Sequence, residues 1–284
     1  MANILLGKDV ADQMLVKLIE RVVHLRERGV EPTLAIVRVG ERSGDVYYER
    51  GAQKRAEKIG VRVIVHALPH DVDQDILKQE IEQINDDDSV HGCLLFRPLP
   101  AYLDEAEICD TLCAKKDVDG ISSASMAGVF TGTGEGFAPC TAEATLAILK
   151  HNQIPIKGAR AAVIGRSLVI GKPVAMMLLA EHATVTICHT RTVDLPAVTR
   201  ESDLIIACAG KAEMIRGDMV APGQTIIDVG VNETEDGKFV GDVAFEEVEP
   251  LVANITPVPR GVGSVTATVL MQHVIEAAEQ TLEL

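Results

Sequence analysis

The chain has 284 residues, a formal net charge of -15, 47% hydrophobic residues and no Trp. This length allows one or two domains with substantial cores, and the absence of a dense basic run argues against a nucleic-acid partner, which requires clustered Lys and Arg. No stretch approaches the roughly 20 apolar residues of a membrane helix, and no signal peptide is visible at the N-terminus. We therefore expect a cytoplasmic protein that binds neither membranes nor nucleic acid.

The first half of the chain alternates between helical and strand patterns. Apolar spacing predicts helices over residues 8–28, 45–58 and 73–85, and buried strands over residues 34–39, 61–65 and 92–96. The acidic run at residues 86–88 is interpreted as a solvated turn rather than a metal site. Strands that alternate with helices at this spacing indicate a parallel sheet.

The second half repeats this alternation. We predict helices over residues 142–150 and 265–282, and strands over residues 161–164, 183–188, 204–209 and 225–230. The glycine-rich residues 131–136 are expected to be flexible and to lie near a domain boundary. The predicted fold is therefore α/β with two domains, the second a Rossmann-type dinucleotide-binding domain with a parallel sheet. We assign residues 1–138 to the first domain and 139–263 to the second, with a C-terminal helix over 264–284 packing back on the first.

The six cysteines show no C-x-x-C pair. Several fall in apolar strand patterns, so the cysteines are interpreted as buried thiols in a reducing compartment, and their spacing predicts no metal site. They are Cys93, Cys109, Cys113, Cys140, Cys188 and Cys208.

A strand, a tight turn and a helix follow one another at residues 161–179, where A-A-V-I-G-R-S-L-V-I-G-K-P leads into a helical pattern. The helix's first N-H groups and the positive end of its dipole would converge on one point, which suits a phosphate. The spacing Gly165-x-Ser167-x-x-x-Gly171 is a variant of the dinucleotide fingerprint. An ordinary strand-to-helix turn is the alternative.

The next strand pattern ends at His189-Thr190-Arg191-Thr192, where an adenosine ribose is expected. NAD-binding chains usually place an acid here, and its carboxylate would repel a 2′-phosphate. Without an acid, Arg191 and a second donor, Arg166, favour NADP, with NAD as the alternative cofactor. Arg191 as a solvated loop residue is nearly as good an interpretation.

Six short motifs occur in a fixed order along the chain. They are D-V-D-G at 117–120, P-C-T at 139–141, G-R-S-x-x-x-G-K-P at 165–173, D-V-G-V-N at 228–232, V-G-D-V at 240–243 and T-P-V-P-x-G-V-G at 256–263. In this order the chain resembles the methylenetetrahydrofolate dehydrogenase/cyclohydrolase family over nearly its whole length. The resemblance implies an oxidoreductase of one-carbon metabolism, usually a homodimer, that holds a folate between its domains and passes a hydride to NADP or NAD.

The resemblance also implies roles for individual residues. Asp119 matches a carboxylate that anchors the pterin, for which an ionised Asp can accept two hydrogen bonds; that Asp119 only closes a turn is the alternative. The implied catalytic residues are Tyr48 and Asp119, and the implied substrate contacts are Tyr48, Phe96, Asp119, Pro259, Arg260 and Gly261. The implied cofactor contacts are Gly165, Arg166, Ser167, Gly171, Thr190, Arg191 and Val231.

Two positions depart from the bifunctional members of that family. The lysine expected four residues after Tyr48 is Ala52, and the glutamine expected before the P-L-P loop is Phe96. Lys54 would point some 120° away from Tyr48, at about 100° per helical residue. Hydrolysis of the methenyl cation needs a tunable proton shuttle such as lysine, whereas hydride transfer depends chiefly on orientation.

The expected function is therefore methylenetetrahydrofolate dehydrogenase with weak or absent cyclohydrolase activity. The alternatives are a bifunctional enzyme, a catalytically silent folate- or nucleotide-binding protein, and a dehydrogenase for another small substrate. Arg260 and Ser264 replace the family's Gly and Pro. Three roles are open for the Arg260 side chain: it pairs with the substrate's glutamate tail, it partly obstructs the site, or it points to solvent.

Overall fold

The structure, a computed structural model, describes residues 1–282. The helices are α1 Gly7–Glu27, α2 Ser43–Ile59, α3 Gln74–Asp86, α4 Glu105–Thr111, α5 Ser123–Thr131, α6 Cys140–His151, α7 Gly171–Ala180, α8 Leu195–Arg200, α9 Phe245–Val248 and α10 Gly263–Gln280. The strands are β1 Asn3–Ile4, β2 Thr33–Val39, β3 Arg62–Leu68, β4 Gly92–Leu95, β5 Arg160–Ile164, β6 Thr184–Cys188, β7 Leu204–Ala207, β8 Thr225–Asp228, β9 Asn232–Glu233, β10 Phe239–Val240 and β11 Asn254–Ile255.

The first compact unit, here called the three-stranded unit, comprises residues 13–140 and 267–282 of the described chain. Its sheet has the order β3-β2-β4, and both pairings are parallel. The central strand β2 is buried at every residue, which explains why its pattern is apolar except at Thr33 and Arg38. Helix α3 begins where the Asp73 carboxylate accepts the backbone N-H of Asp75 and packs Leu77, Ile81 and Ile84 into the core.

The second compact unit, here called the six-stranded unit, comprises residues 1–12 and 141–266. Its sheet has the order β1-β11-β8-β7-β5-β6, with every neighbouring pair parallel. From β5 the chain moves outward to β6 and then returns to the other side of β5 as β7. This reversal defines a switch point at the carboxyl ends of β5 and β7, the usual ligand position in such sheets. The predicted class, α/β with two domains and a Rossmann-type parallel sheet, is confirmed.

The first twelve residues depart from the predicted domain boundary. We assigned residues 1–138 to the first domain, but β1 pairs in parallel with β11 through Asn3↔Asn254 and Ile4↔Ile255. The N-terminal segment therefore belongs to the six-stranded unit, and the division falls inside α1. A two-residue strand carries too little periodicity to be predicted, and only its pairing with a distant strand creates it.

Residues 131–136, predicted to be flexible, begin inside α5, because Thr131 is the last residue of that helix. No helix within residues 1–282 has the length and apolar character needed to cross a membrane.

Candidate functional site

Tyr48, Phe96 and Asp119 lie near one carboxyl edge of the three-stranded unit. Phe96 directly follows β4, and its backbone N-H donates to the carbonyl oxygen of Val37 in β2 at 3.0 Å. The ring of Tyr48 meets that of Phe96 edge to face, with centroids 5.8 Å apart and an interplanar angle of 88°. Asp119 acts electrostatically on the Tyr48 phenol. The predicted substrate residues of this unit are thus brought together.

Helix α2 carries Tyr48 and is tied to β2 by an ion pair. Arg38 Nε donates to Glu49 Oε2 at 2.9 Å, and side chains of both residues are largely buried. Arg38 also donates to the carbonyl oxygen of Gly40. Because Glu49 adjoins Tyr48 in the chain, this pair fixes the part of α2 that presents the phenol.

The D-V-D-G turn is closed by Asp117 and not by Asp119. The fully buried Asp117 carboxylate accepts the N-H of Ile121 at 2.9 Å and both the N-H and Oγ-H of Ser122, at 2.8 and 2.6 Å. The turn-closing role that we considered for Asp119 is therefore filled two residues earlier. The Asp119 carboxylate instead hydrogen-bonds with Cys140.

The peptide that precedes Asp119 is held by two buried side chains. His273 Nδ1 lies 2.8 Å from the carbonyl oxygen of Val118, and the Cys140 thiol donates to the same oxygen at 3.2 Å. A carbonyl oxygen can only accept, so Nδ1 of His273 carries the proton. No role was predicted for His273, whose only signal was a histidine among the apolar residues of the C-terminal helical pattern.

The electrostatics of this edge favour a protonated phenol. Desolvation, together with the nearby Asp119 carboxylate, raises the pKa of Tyr48 even though 38% of the residue's surface is exposed. Burial also raises the pKa of Asp119, while the Cys140 thiol and the Arg97 guanidinium oppose that rise. Tyr48 is thus a hydrogen-bond donor throughout the physiological pH range.

Position 52 offers no amine at this edge. Ala52 is 1% exposed on α2, and Phe96 is 8% exposed. Lys54 lines a surface groove together with Arg50 and Glu57. Arg97 lies 3.8 Å from the Glu105 carboxylate, and a guanidinium is in general a poor base.

In the six-stranded unit, the Gly165–Gly171 loop lies at the switch point. Gly165 has φ 141°, and a Cβ there would lie 2.3 Å from the carbonyl oxygen of Cys208, which follows β7. Ser167 Oγ accepts the N-H of Ile170 at 3.2 Å immediately before α7. The loop therefore passes close to the end of β7 and leads into a helix N-terminus, an arrangement that suits a dinucleotide phosphate.

The predicted ribose and phosphate side chains of this unit are solvent-accessible. Arg166, Ser167, Thr190 and Arg191 are all exposed. The turn after β6 is built locally: His189 Nδ1 accepts the N-H of Arg191 at 3.1 Å, and Thr192 Oγ1 accepts the N-H of His189 at 2.8 Å. No carboxylate belongs to this turn.

Val231 is 64% exposed at the carboxyl end of β8. Two buried carboxylates of this unit, Asp228 and Asp242, had no predicted role; they are 3% and 0% exposed. Asp228 belongs to the D-V-G-V-N motif and Asp242 to V-G-D-V. For Asp228 the available signal was an aspartate within an apolar strand pattern. Desolvation raises the pKa of Asp228 to about 7, against the lowering effect of backbone hydrogen bonds from Asp242 and Val243.

The loop with Pro259, Arg260 and Gly261 also belongs to the six-stranded unit. Arg260 is exposed with φ 85°, and its carbonyl oxygen accepts the N-H of Gly7 at 2.9 Å. A left-handed conformation costs an ordinary residue about 1–2 kcal/mol. Pro259 is exposed and Gly261 is buried.

Residues 1–282 contain no group of three or more His, Cys, Asp or Glu arranged to hold a metal ion. The described cysteines are all unbridged thiols.

Two family models match the chain. Residues 139–282 match the tetrahydrofolate dehydrogenase/cyclohydrolase NAD(P)-binding domain, and residues 5–119 match the catalytic domain of the same family. The chain is 49% identical over 281 residues to "Bifunctional protein FolD" of Carboxydothermus hydrogenoformans, covering 98% of each.

Solved structures show the same similarity. The bifunctional FolD dehydrogenase/cyclohydrolase from Campylobacter jejuni is 37% identical, with a TM-score of 0.96 over 99% of this chain and 100% of that one. The Trypanosoma brucei dehydrogenase-cyclohydrolase, solved with NADP cofactor and an inhibitor, is 31% identical, with a TM-score of 0.93 over 100% of this chain and 99% of that one. The chain belongs to the tetrahydrofolate dehydrogenase/cyclohydrolase family.

Proposed function

We propose that this protein oxidises 5,10-methylenetetrahydrofolate to 5,10-methenyltetrahydrofolate with hydride transfer to NADP, or NAD, and that its cyclohydrolase activity is weak or absent. The observation that carries the proposal is the edge of the three-stranded unit, where Tyr48 and Asp119 stand beside Phe96 while position 52 is a buried alanine. Membership of the family supplies the reaction class.

The folate half of the site rests on Asp119. Its carboxylate is freed from closing the turn by Asp117 and is held by Cys140. An ionised carboxylate accepts two hydrogen bonds from the amino group and ring N-H of a pterin, which fixes the orientation of the ring. Tyr48 supplies a protonated phenol as a donor, and Phe96 supplies an apolar face for packing.

The cofactor half rests on the Gly165–Gly171 loop and the turn after β6. The loop holds a phosphate by backbone N-H groups and the dipole of α7. Arg166, Thr190 and Arg191 are exposed donors with no carboxylate in that turn, so they accommodate a 2′-phosphate. A bound nicotinamide accepts a hydride, and the protein's part is to fix the two reacting rings.

Hydrolysis of methenyltetrahydrofolate requires more than a correct orientation of the substrate. A water molecule must be activated and a proton moved, which requires a group that can titrate. Ala52 has only a methyl group, Phe96 makes the neighbouring wall apolar, and Lys54 lies in a surface groove. These features favour a dehydrogenase that does little hydrolysis.

A bifunctional dehydrogenase/cyclohydrolase is the second candidate. The specific observation that favours it is that relatives at 49% and 45% identity carry the name "Bifunctional protein FolD". In that case a residue other than the one at position 52 activates the water.

A paired assay of the purified protein separates the two candidates. Cofactor reduction is followed with methylenetetrahydrofolate and NADP or NAD, and hydrolysis is followed with methenyltetrahydrofolate alone. We expect reduction, preferably of NADP, and hydrolysis close to the uncatalysed rate. Hydrolysis as fast as reduction would favour the bifunctional enzyme, and folate binding without any reduction would contradict both.

We also propose that the protein acts as a homodimer, as its resemblance to the family implies, and that it is cytoplasmic, as expected from the sequence.

A further inference from the structure

We infer that Asp242 is a positioning residue for the nicotinamide end of the cofactor: its buried carboxylate holds the loops that follow β7 and β8 in one shape. The inference rests on the proposed function and on the cofactor contact that the family resemblance implies for Val231, which is with the nicotinamide. It deepens that function by naming what fixes this surface.

One carboxylate accepts four N-H groups. Asp242 Oδ2 accepts the backbone N-H of Ala209 at 2.6 Å and of Gly210 at 2.9 Å. Its Oδ1 accepts the backbone N-H of Lys211 at 2.9 Å and the side-chain amide of Asn232 at 3.0 Å. These donors fill the two oxygens of a side chain that is 0% exposed, so the interaction is with a desolvated charge and is stronger than at the surface.

The donors come from two loops that are distant in the chain. Ala209, Gly210 and Lys211 follow β7, whereas Asn232 follows the exposed Val231 after β8. The strands β7 and β8 are parallel neighbours, so these loops emerge at the same carboxyl edge. A flat ring that approaches this edge meets a surface whose shape Asp242 determines.

The backbone of Asp242 is itself fixed from two sides. Asp228 Oδ1 accepts its N-H at 3.0 Å, and its carbonyl oxygen accepts the N-H of Ile215 at 2.9 Å. The approach of the carboxylates requires glycine, because a Cβ at Gly230 would lie 2.1 Å from Asp242 Oδ1 and one at Gly241 would lie 1.8 Å from Asp228 Oδ2. The carboxylate therefore has little freedom to follow a displaced loop.

The charge and symmetry of a carboxylate are required here. Both oxygens face donors, so an asparagine at 242 would direct its NH₂ group at N-H groups in either orientation. One loop would then lose its acceptor and shift, while the volume of the side chain stays the same. Asp242→Asn is thus a nearly isosteric test of positioning.

The test compares a whole cofactor with a fragment that lacks the nicotinamide. Binding of NADPH is measured by its own fluorescence in the full-length protein, and adenosine 2′,5′-bisphosphate is measured by competition. We expect Asp242→Asn to weaken NADPH binding about tenfold, which corresponds to about 1.4 kcal/mol, and to leave the fragment within about twofold of wild type. The matched control is Asp236→Asn, an exposed aspartate between β9 and β10, which should change neither affinity.

The outcomes are distinct. An equal loss for NADPH and fragment indicates a purely structural role for Asp242 and overturns the inference, as does an unchanged NADPH affinity. Wild-type protein that binds neither NADPH nor NADH would overturn the proposed function as well. Wild-type protein that binds NADPH but oxidises no folate would overturn the proposed function alone.

If Asp242→Asn fails to fold, Asn232→Ala decides the question. It removes one of the four donors and leaves the carboxylate with its three backbone partners. We expect the same selective loss on a smaller scale, about threefold for NADPH, with fragment binding unchanged. Equal affinity of this variant and wild type for NADPH would overturn the inference.

Discussion

Two aspartates in one short motif serve different purposes. Asp117 accepts three hydrogen bonds and closes the turn, whereas Asp119 is left with Cys140 and an environment that raises its pKa. The difference arises because Asp117 aligns beside β4 through its bridge to Cys93, which puts its carboxylate under the following backbone. Asp119 is two residues further along and is directed elsewhere.

The first prediction concerns Asp119 and pH. We propose that the ionised carboxylate of Asp119 binds the pterin. Because burial raises its pKa, acidification protonates this carboxylate at a higher pH than it would an ordinary aspartate. We expect kcat/KM for methylenetetrahydrofolate to fall along this acid limb. Asp119→Asn should abolish the limb and lower kcat/KM about 100-fold, since a bond to a charged group contributes about 1.5–3 kcal/mol.

The control for Asp119→Asn is NADPH binding, which should match wild type because Asp119 lies in the other compact unit. A variant with kcat/KM within about threefold of wild type would show that Asp119 does not anchor the substrate.

The second prediction concerns Arg191, which is exposed in the turn after β6. If its guanidinium pairs with a 2′-phosphate, Arg191→Ala should raise KM for NADP about tenfold and KM for NAD less than about twofold. Steady-state kinetics with both cofactors measure this, with Arg28→Ala as a control that removes an exposed charge elsewhere. Equal losses for NADP and NAD would remove the 2′-phosphate argument.

At the scale of elements, α2 decides which side chains can cooperate. Tyr48 and Ala52 are one helical turn apart and share a face, whereas Lys54 lies on a different face. The fold therefore cannot replace a missing amine by a lysine two residues further along.

The third prediction follows from this geometry. Ala52→Lys alone should not restore full cyclohydrolase activity, because Phe96 still occupies the position of the expected glutamine. Hydrolysis of methenyltetrahydrofolate by the double variant with Phe96→Gln should exceed that of the single variant about tenfold. Lys54→Ala is the control and should leave hydrolysis unchanged. Substantial hydrolysis by Ala52→Lys alone would show that Phe96 matters less than we propose.

The fourth prediction concerns the connection between β8 and the β9–β10 hairpin, where Asp228 accepts the N-H groups of Gly230, Asp242 and Val243. Its folded-state pKa is about 7 against an ordinary value of 3.8, so between these values the native state binds more protons than the unfolded state. The contribution of Asp228 to the free energy of unfolding is therefore fully present below about pH 4 and is lost as pH rises through about 7. We expect this group to lower the free energy of unfolding by about 1–4 kcal/mol across that range.

Urea unfolding near pH 5 and near pH 8 measures that change. Asp228→Asn removes the titrating group, so its pH dependence should be flatter than that of wild type whatever its absolute stability. Identical pH dependences for the two proteins would contradict the assignment.

At the scale of the whole molecule, the fifth prediction is the assembly state. We expect light scattering to give the mass of two chains over the concentration range of the assay. A monomer with full dehydrogenase activity would contradict the homodimer.

The sequence determined what local chemistry can determine. Its apolar periodicities located nearly all the long helices and strands, and its ordered motifs identified the family, because spacing and turn residues reflect short-range constraints. The strand β1 was missed because it exists only through its pairing with the distant strand β11. The turn-closing role considered for Asp119 falls to Asp117. The departures at Ala52 and Phe96 from the lysine and glutamine of the bifunctional members could be read directly from the sequence.

Only the tertiary structure decided which of these residues meet. It brought Tyr48 against Phe96, placed His273 on the carbonyl that precedes Asp119, and set Asp242 beneath two loops that lie more than twenty residues apart. The physical reason is that a buried carboxylate or imidazole must find hydrogen-bonding partners wherever the fold supplies them. Those partners are set by sheet order and packing, which no local pattern in the sequence records.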